Sequence, residues 1–386
     1  MQRGIATMTL DYGHLPRWLF NRMVHLSREI AIVLVDEFGP DEFIKRISDP
    51  VWFQSLSCAI GMDWNSSGTT VITTGALKVG LQGLEKDLGI FICGGKGKTS
   101  RKTPEEIEAW GQRLSLPETH TQNLVYNSKM SAKVDSALVQ DDYQIYHHSF
   151  FFSKNGSWAV VQQGMNTASM TARRYHWYSA DVRDLVCEPH SAIVTQAQAK
   201  TVLDMTSKKS TKNRKVSTGL VSQSFKTLMR DIEILRKHSS SLSRMISLRR
   251  QSETLTLLEL ADLEFTSHPV IYHDFSKSRY LEKILSRLTA EKPKTYEELL
   301  ATAGVGPKTV RALALVSEII YGAKPSYEDP ARYSFAHGGK DATPYPVDRA
   351  TYDQTIEILK DAVGKSKINP IEKDKALRRL KAQKSR

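Results

Sequence analysis

Apolar residues fall into two rhythms along this chain. Between residues 15 and 61, Trp18, Leu19, Met23, Leu26 and Ile30 recur at the spacing of one helical face, and Pro40 and Pro50 divide the stretch into successive short helices. Two short apolar runs bounded by glycines, Val71-Ile72 and Ile90-Phe91-Ile92, predict buried strands. Thr103-Pro104-Glu105-Glu106 has the spelling of a capping box with proline at the first helical position, so a helix is expected from there to about Arg113. The aromatic-rich run from Tyr143 to Ser153, the turn Lys154-Asn155-Gly156 and the returning run Trp158-Ala159-Val160-Val161 predict a β-hairpin.

Residues 1–205 thus read as one mixed α and β domain. Residues 206–219 are polar and basic with almost no apolar side chains, and read as a linker or an exposed basic loop. From residue 220 the helical rhythm returns, with Leu228, Ile232 and Leu235 in one stripe and Leu281, Ile284, Leu285 and Leu288 in another. The tail from Lys360 carries ten Lys or Arg against three acids, with Ile371, Ala376 and Leu380 as an apolar thread. The expected fold class is α+β: a mixed N-terminal domain, then an all-helical domain over 220–386.

Charge adds a partner. A net charge of +12 favours polyanions, because lysine and arginine displace the counterions of a phosphate backbone. Three scattered cysteines, Cys58, Cys93 and Cys187, give neither a disulfide framework nor a cysteine-rich metal site. No apolar run approaches the ~20 residues of a membrane span, and no basic-then-apolar leader is present. A soluble protein of the cytoplasm, associated with the nucleoid and without a membrane partner, is the expectation.

Chemistry concentrates near the C-terminus. Tyr296-Glu297-Glu298-Leu299-Leu300 reads as a helix, Gly304-Val305-Gly306 as a tight turn, and Pro307 as the opening of a second helix running through Leu313, Val316 and Ile320. Glycines let the backbone turn sharply and approach a phosphate, and the amides of Lys308 and Thr309 at the helix start then face the anion. Lys308 adds a charge beside it, and Val305 is expected to plug the two-helix core. This is the pattern of a helix-hairpin-helix, and DNA is the partner it predicts, held by Gly304, Val305, Gly306, Lys308 and Thr309. With Tyr345-Pro346-Val347-Asp348-Arg349 downstream, the segment resembles the helix-hairpin-helix DNA glycosylases. That resemblance implies Lys308 as a Schiff-base nucleophile and Asp348 as the carboxylate that supports it, with no cofactor. The interval from Gly306 to Asp348 is about twice the usual length, and the four-cysteine cluster loop of some members is absent.

The N-terminal domain offers a second candidate. Asp135, Asp141, Asp142 and His148, brought together around the hairpin, predict a site for a divalent metal, magnesium or manganese, and hence phosphodiester hydrolysis. Strand alternation puts His147 and His148 on opposite faces, so only one of them serves a given site. Arg173 and Arg174, in the run ARRYHW, are expected phosphate contacts. So are Lys96 and Lys98 in GGKGKT, which lacks the first glycine of a nucleotide-binding loop because Ile92 stands there. Across its length the chain also resembles the archaeal and bacterial domain-of-unknown-function family 763, through segments such as DPVWFQSLSCAIGMDWNSSGTT, YHHSFFF, AVVQQGMN and GVGPKTVRALALVSEIIYG. Three functional classes are expected: a DNA glycosylase or lyase acting in repair, a metal-dependent structure-specific nuclease, and a non-catalytic DNA-binding or scaffold protein.

Overall fold

A computed structural model describes residues 8, 10, 13, 15–62, 67–196, 198–238, 247–250, 253–256, 278–331 and 349–384. The chain is α+β, built on a five-stranded antiparallel sheet in the order β1-β3-β4-β5-β6: β1 Ile90–Lys96, β3 Gln144–Ser153, β4 Trp158–Asn166, β5 Thr171–Tyr178 and β6 His190–Val194. A short ladder, β2 Val139–Gln140 with β7 Leu203–Asp204, stands beside it. Both faces of the sheet are covered by helices, which explains why the central strands read as unbroken apolar runs rather than alternating ones.

On one face lie α1 Arg17–Ser48, α2 Pro50–Ile60 and α3 Gly68–Gly80, packed on Ile90, Ile92, Phe151, Ala159 and Val161. Pro40 follows Gly39, whose φ of +82° breaks the helical path inside α1. The Asp49 side chain caps α2 by accepting from the amides of Val51 and Trp52. Two C-terminal helices, α12 Arg349–Lys365 and α13 Pro370–Lys384, return to this same layer through Ile356, Leu359, Ala376 and Leu380. The basic tail is therefore part of the core through its thin apolar thread.

The other face carries α5 Thr103–Arg113, α6 Glu118–Ala137, α7 Thr211–Val221 and α8 Phe225–His238. It also carries α9 Arg279–Glu291, α10 Tyr296–Ala301 and α11 Pro307–Leu315, all joined to Phe91, Phe150, Phe152, Val160 and Trp177 in one apolar cluster. A four-residue helix, α4 Glu85–Leu88, precedes β1.

Four segments depart from the sequence reading. Val71-Ile72 lies in helix α3, not a strand. The buried face of α3 is Thr69, Thr70, Thr73, Thr74 and Leu77, a helical stripe written in threonine and hidden from a search for apolar periodicity. The expected basic linker is largely α7. Its polar side chains do not all face water: Arg214 donates to the carbonyls of Met205 and Ser207, and Asn213 donates to those of Ala314 and Ala323. Thr103 is the first residue of α5 rather than its cap, because a 3-10 turn over Gly97–Lys102 leads into it. Finally, the C-terminal half is not all helical: β8 Ser247–Arg250 and β9 Glu253–Thr256 form a two-stranded antiparallel hairpin.

Candidate functional site

The turn between α10 and α11 is built locally. The Thr295 hydroxyl accepts from the amide of Glu298, and the Glu298 carboxylate accepts from the amide of Lys294, which fixes the start of α10. The two glycines then do different work. Gly304 sits at φ +91°, where a Cβ would run into the side chain of Ile284. Gly306 is extended at φ −151°, and a Cβ there would meet nothing within 4 Å. Its side is open space. Val305, 4 % exposed, joins the core between them.

The carbonyls of this turn are already engaged. Lys133 Nζ donates to Thr302 O at 2.8 Å, Arg287 Nη1 to Ala303 O at 2.8 Å and Tyr280 Oη to Gly304 O at 3.2 Å. Burial lowers the pKa of Lys133. Gln140 Nε2 reaches Pro307 O at 3.0 Å. Two cations therefore back the turn, and Lys308 stands exposed at the start of α11. No side chain caps α11, since Gly306 occupies the capping position. The first amides of the helix lie at the positive end of its dipole. Thr309 is 2 % exposed, main chain and side chain together, and is part of the interior. Asp348 lies outside the described residues. Lys308 does not sit in the desolvated cleft that an imine-forming amine requires.

Arg173 and Arg174 are not surface contacts. Both lie on β5 with their guanidinium groups in the interior. Arg173 pairs with Asp141 at 2.8 Å and with Asp329 at 2.7 Å. Burial pulls its pKa down, but Asp141, Tyr175 and Asp329 raise it by more, so it stays charged. Arg174 donates to His176 Nε2 and to Gln54 Oε1 and lies over the ring of Phe53. Burial lowers its pKa to about 9. Strand β5 is covered on both sides, which the run ARRYHW alone does not reveal. Lys96, the last residue of β1, and Lys98, on the 3-10 turn after it, are exposed.

The expected metal ligands are also separated. Asp141 is taken up by Arg173 and Tyr175 Oη, and Asp142 is exposed at a positive-φ turn position. Asp135 is fully buried and accepts from Gln162 Nε2 at 2.5 Å and Trp177 Nε1 at 3.1 Å. His148 reaches it only through Gln162, its Nδ1 lying 2.9 Å from Gln162 Oε1 and its Nε2 2.9 Å from Ser128 Oγ. Among the described residues no group of three His, Cys, Asp or Glu side chains is placed to hold a metal ion. His147 and His148 do point to opposite faces, toward Thr74 and Ser128 respectively. Burial depresses the pKa of His147 to about 3, lowers that of His148, and holds that of His176 well below the ordinary value.

Asp135 has one further partner that sequence reasoning missed. His190 Nε2 lies 2.5 Å from Asp135 Oδ1, and the same imidazole lines a pocket with Asp204 on the neighbouring ladder. Fifty-five residues separate the two, and nothing in either neighbourhood announces the pairing. Among the described residues no helix is long and apolar enough to cross a membrane.

No curated protein and no solved structure matches this chain. The sheet, helices α1 to α11 and the turn at Gly304 fall within one continuous match over residues 4–347, with α12 and α13 beyond it, and the chain belongs to the family described as protein of unknown function, DUF763.

Proposed function

We propose that the protein binds DNA by a helix-hairpin-helix formed by α10 and α11, with a backbone phosphate against Gly306 and the first amides of α11. The observation that carries this reading is the open side of Gly306 beside a turn whose carbonyls are engaged by Lys133, Arg287 and Tyr280. The positive end of the helix dipole is left without a capping side chain, the arrangement that an anion needs. Lys308, exposed, serves as a charge beside the phosphate. A role in handling or repairing DNA at the nucleoid follows from this grip.

Alanine at Gly306 separates grip from folding. The backbone there suits any residue and the new methyl meets no neighbour, so the fold is retained while the phosphate is displaced. A charge-assisted hydrogen bond contributes roughly 1.5–3 kcal/mol, so Gly306→Ala should weaken binding by about tenfold or more. The loss should be equal on duplexes of unrelated sequence, because phosphate contacts carry no base information. Fluorescence anisotropy on two such duplexes measures it, and unchanged affinity in a folded variant removes the proposal.

A further inference from the structure

Helix α9 touches the turn between α10 and α11 at two points. Tyr280 Oη donates to Gly304 O at 3.2 Å, and Arg287 Nη1 donates to Ala303 O at 2.8 Å. Residues 280, 283 and 287 stand at i, i+3 and i+7 and so share one face of the helix. The stripe Leu281, Ile284, Leu285 and Leu288 packs into the core, which leaves that face at the surface with Lys283 exposed on it.

A single exposed ring is ordinary on a protein surface. What distinguishes Tyr280 is its place. It is 60 % exposed, yet its hydroxyl is tied to the carbonyl of the glycine on which the turn is built. The ring is therefore held at the rim of the hairpin, two residues in sequence from the open side of Gly306. Arg279 and Lys283 flank it, both exposed and neither in an ion pair among the described residues.

A base and its own phosphate are joined through one sugar, so a nucleotide held at Gly306 carries its base into the neighbourhood of this ring. In a duplex the faces of each base are covered by the stack, and the grooves offer only base edges. An aromatic face is matched by a base face, which is free only where a strand is unpaired. We infer that α9 and the hairpin turn together receive single-stranded DNA, with an unpaired base stacked on Tyr280 and the flanking phosphates beside Arg279 and Lys283. This rests on the hairpin grip proposed above and names the form of DNA it takes. Stacking tolerates any base, as phosphate contacts do.

Fluorescence anisotropy of the full chain with labelled oligothymidylate, and with a blunt-ended duplex of equal length, tests this. Tyr280→Ala should weaken oligothymidylate binding by about fivefold or more, the contribution of one stacked base, and leave duplex binding nearly unchanged. Tyr280→Phe keeps the ring and should retain most of the affinity for oligothymidylate. The side chain is exposed, so neither variant empties the core. Gly306→Ala should weaken both DNAs. If it weakens neither, the hairpin grip falls and this inference falls with it. If it weakens the duplex while the wild type fails to bind oligothymidylate, or while Tyr280→Ala changes both DNAs equally or neither, the grip stands and the stacking is overturned. Tyr280→Phe losing as much as Tyr280→Ala also overturns it, since the hydroxyl rather than the ring then carries the effect.

Discussion

Three histidines on or beside the central sheet couple this fold to pH. His147, His148 and His176 are buried neutral, each with a pKa driven down by burial, that of His147 to about 3. In the unfolded chain an ordinary histidine titrates near 6.5. The unfolded state therefore binds more protons between those limits. Stability from these residues is complete above about pH 6.5 and falls as pH drops toward 3. Urea midpoints should decline steadily from pH 7 to pH 4, with up to about three protons taken up on unfolding. A midpoint independent of pH over that range contradicts the burial of these rings in neutral form. Residue-scale roles were unevenly legible. The separation of His147 from His148 follows from strand alternation, whereas the meeting of Asp135 on α6 with His190 at the start of β6 is a contact distant in sequence, which no local pattern encodes.

Among the elements, β5 and the segment 326–331 are clasped together by a buried charge cluster. Arg173 joins Asp141 and Asp329, and Asp329 also accepts from the amide of Ala199. Removing one partner of such a group leaves uncompensated buried charge and costs roughly 3–5 kcal/mol. Arg173→Met should therefore lower the unfolding free energy by about that amount, measured by urea titration. Retained stability with lost DNA affinity is the opposite result, and it would restore Arg173 as a phosphate contact. Elements with a chemical spelling of their own were readable: the β3–β4 hairpin from Asn155-Gly156, and the α10–α11 turn from its glycines, proline and lysine. Helices α3 and α7 were not, because their buried faces are written largely in threonine, serine, asparagine and arginine. Polar residues satisfied inside a protein look the same in sequence as polar residues in water. The order of strands in the sheet, set by contacts distant in sequence, was likewise beyond reach.

For the whole molecule, the proposed DNA grip turns on the distribution of charge. Helix α13 is docked on α2, with Arg379 Nη1 donating to Ala59 O, so its basic residues are held on a folded surface. Cutting the tail after Asn369 would expose that core, and charge substitutions are the cleaner probe. The dependence of log affinity on log salt has a slope of about −0.9 for each phosphate neutralised on a duplex. Lys308→Ala should reduce the magnitude of that slope by about one. An identical slope in the wild type and variant places Lys308 away from the phosphates.

Backbone amide NMR of the full chain, labelled with nitrogen-15 in glycine, lysine and threonine, addresses the DNA grip most directly. A short duplex is added at low salt and then released by raising the salt. The account predicts that the amides of Gly306, Lys308 and Thr309 shift on addition and return on release, with the same pattern for a duplex of unrelated sequence. Shifts confined to other surfaces, such as the exposed turn carrying Lys96 and Lys98, with the three hairpin amides unmoved, would contradict it.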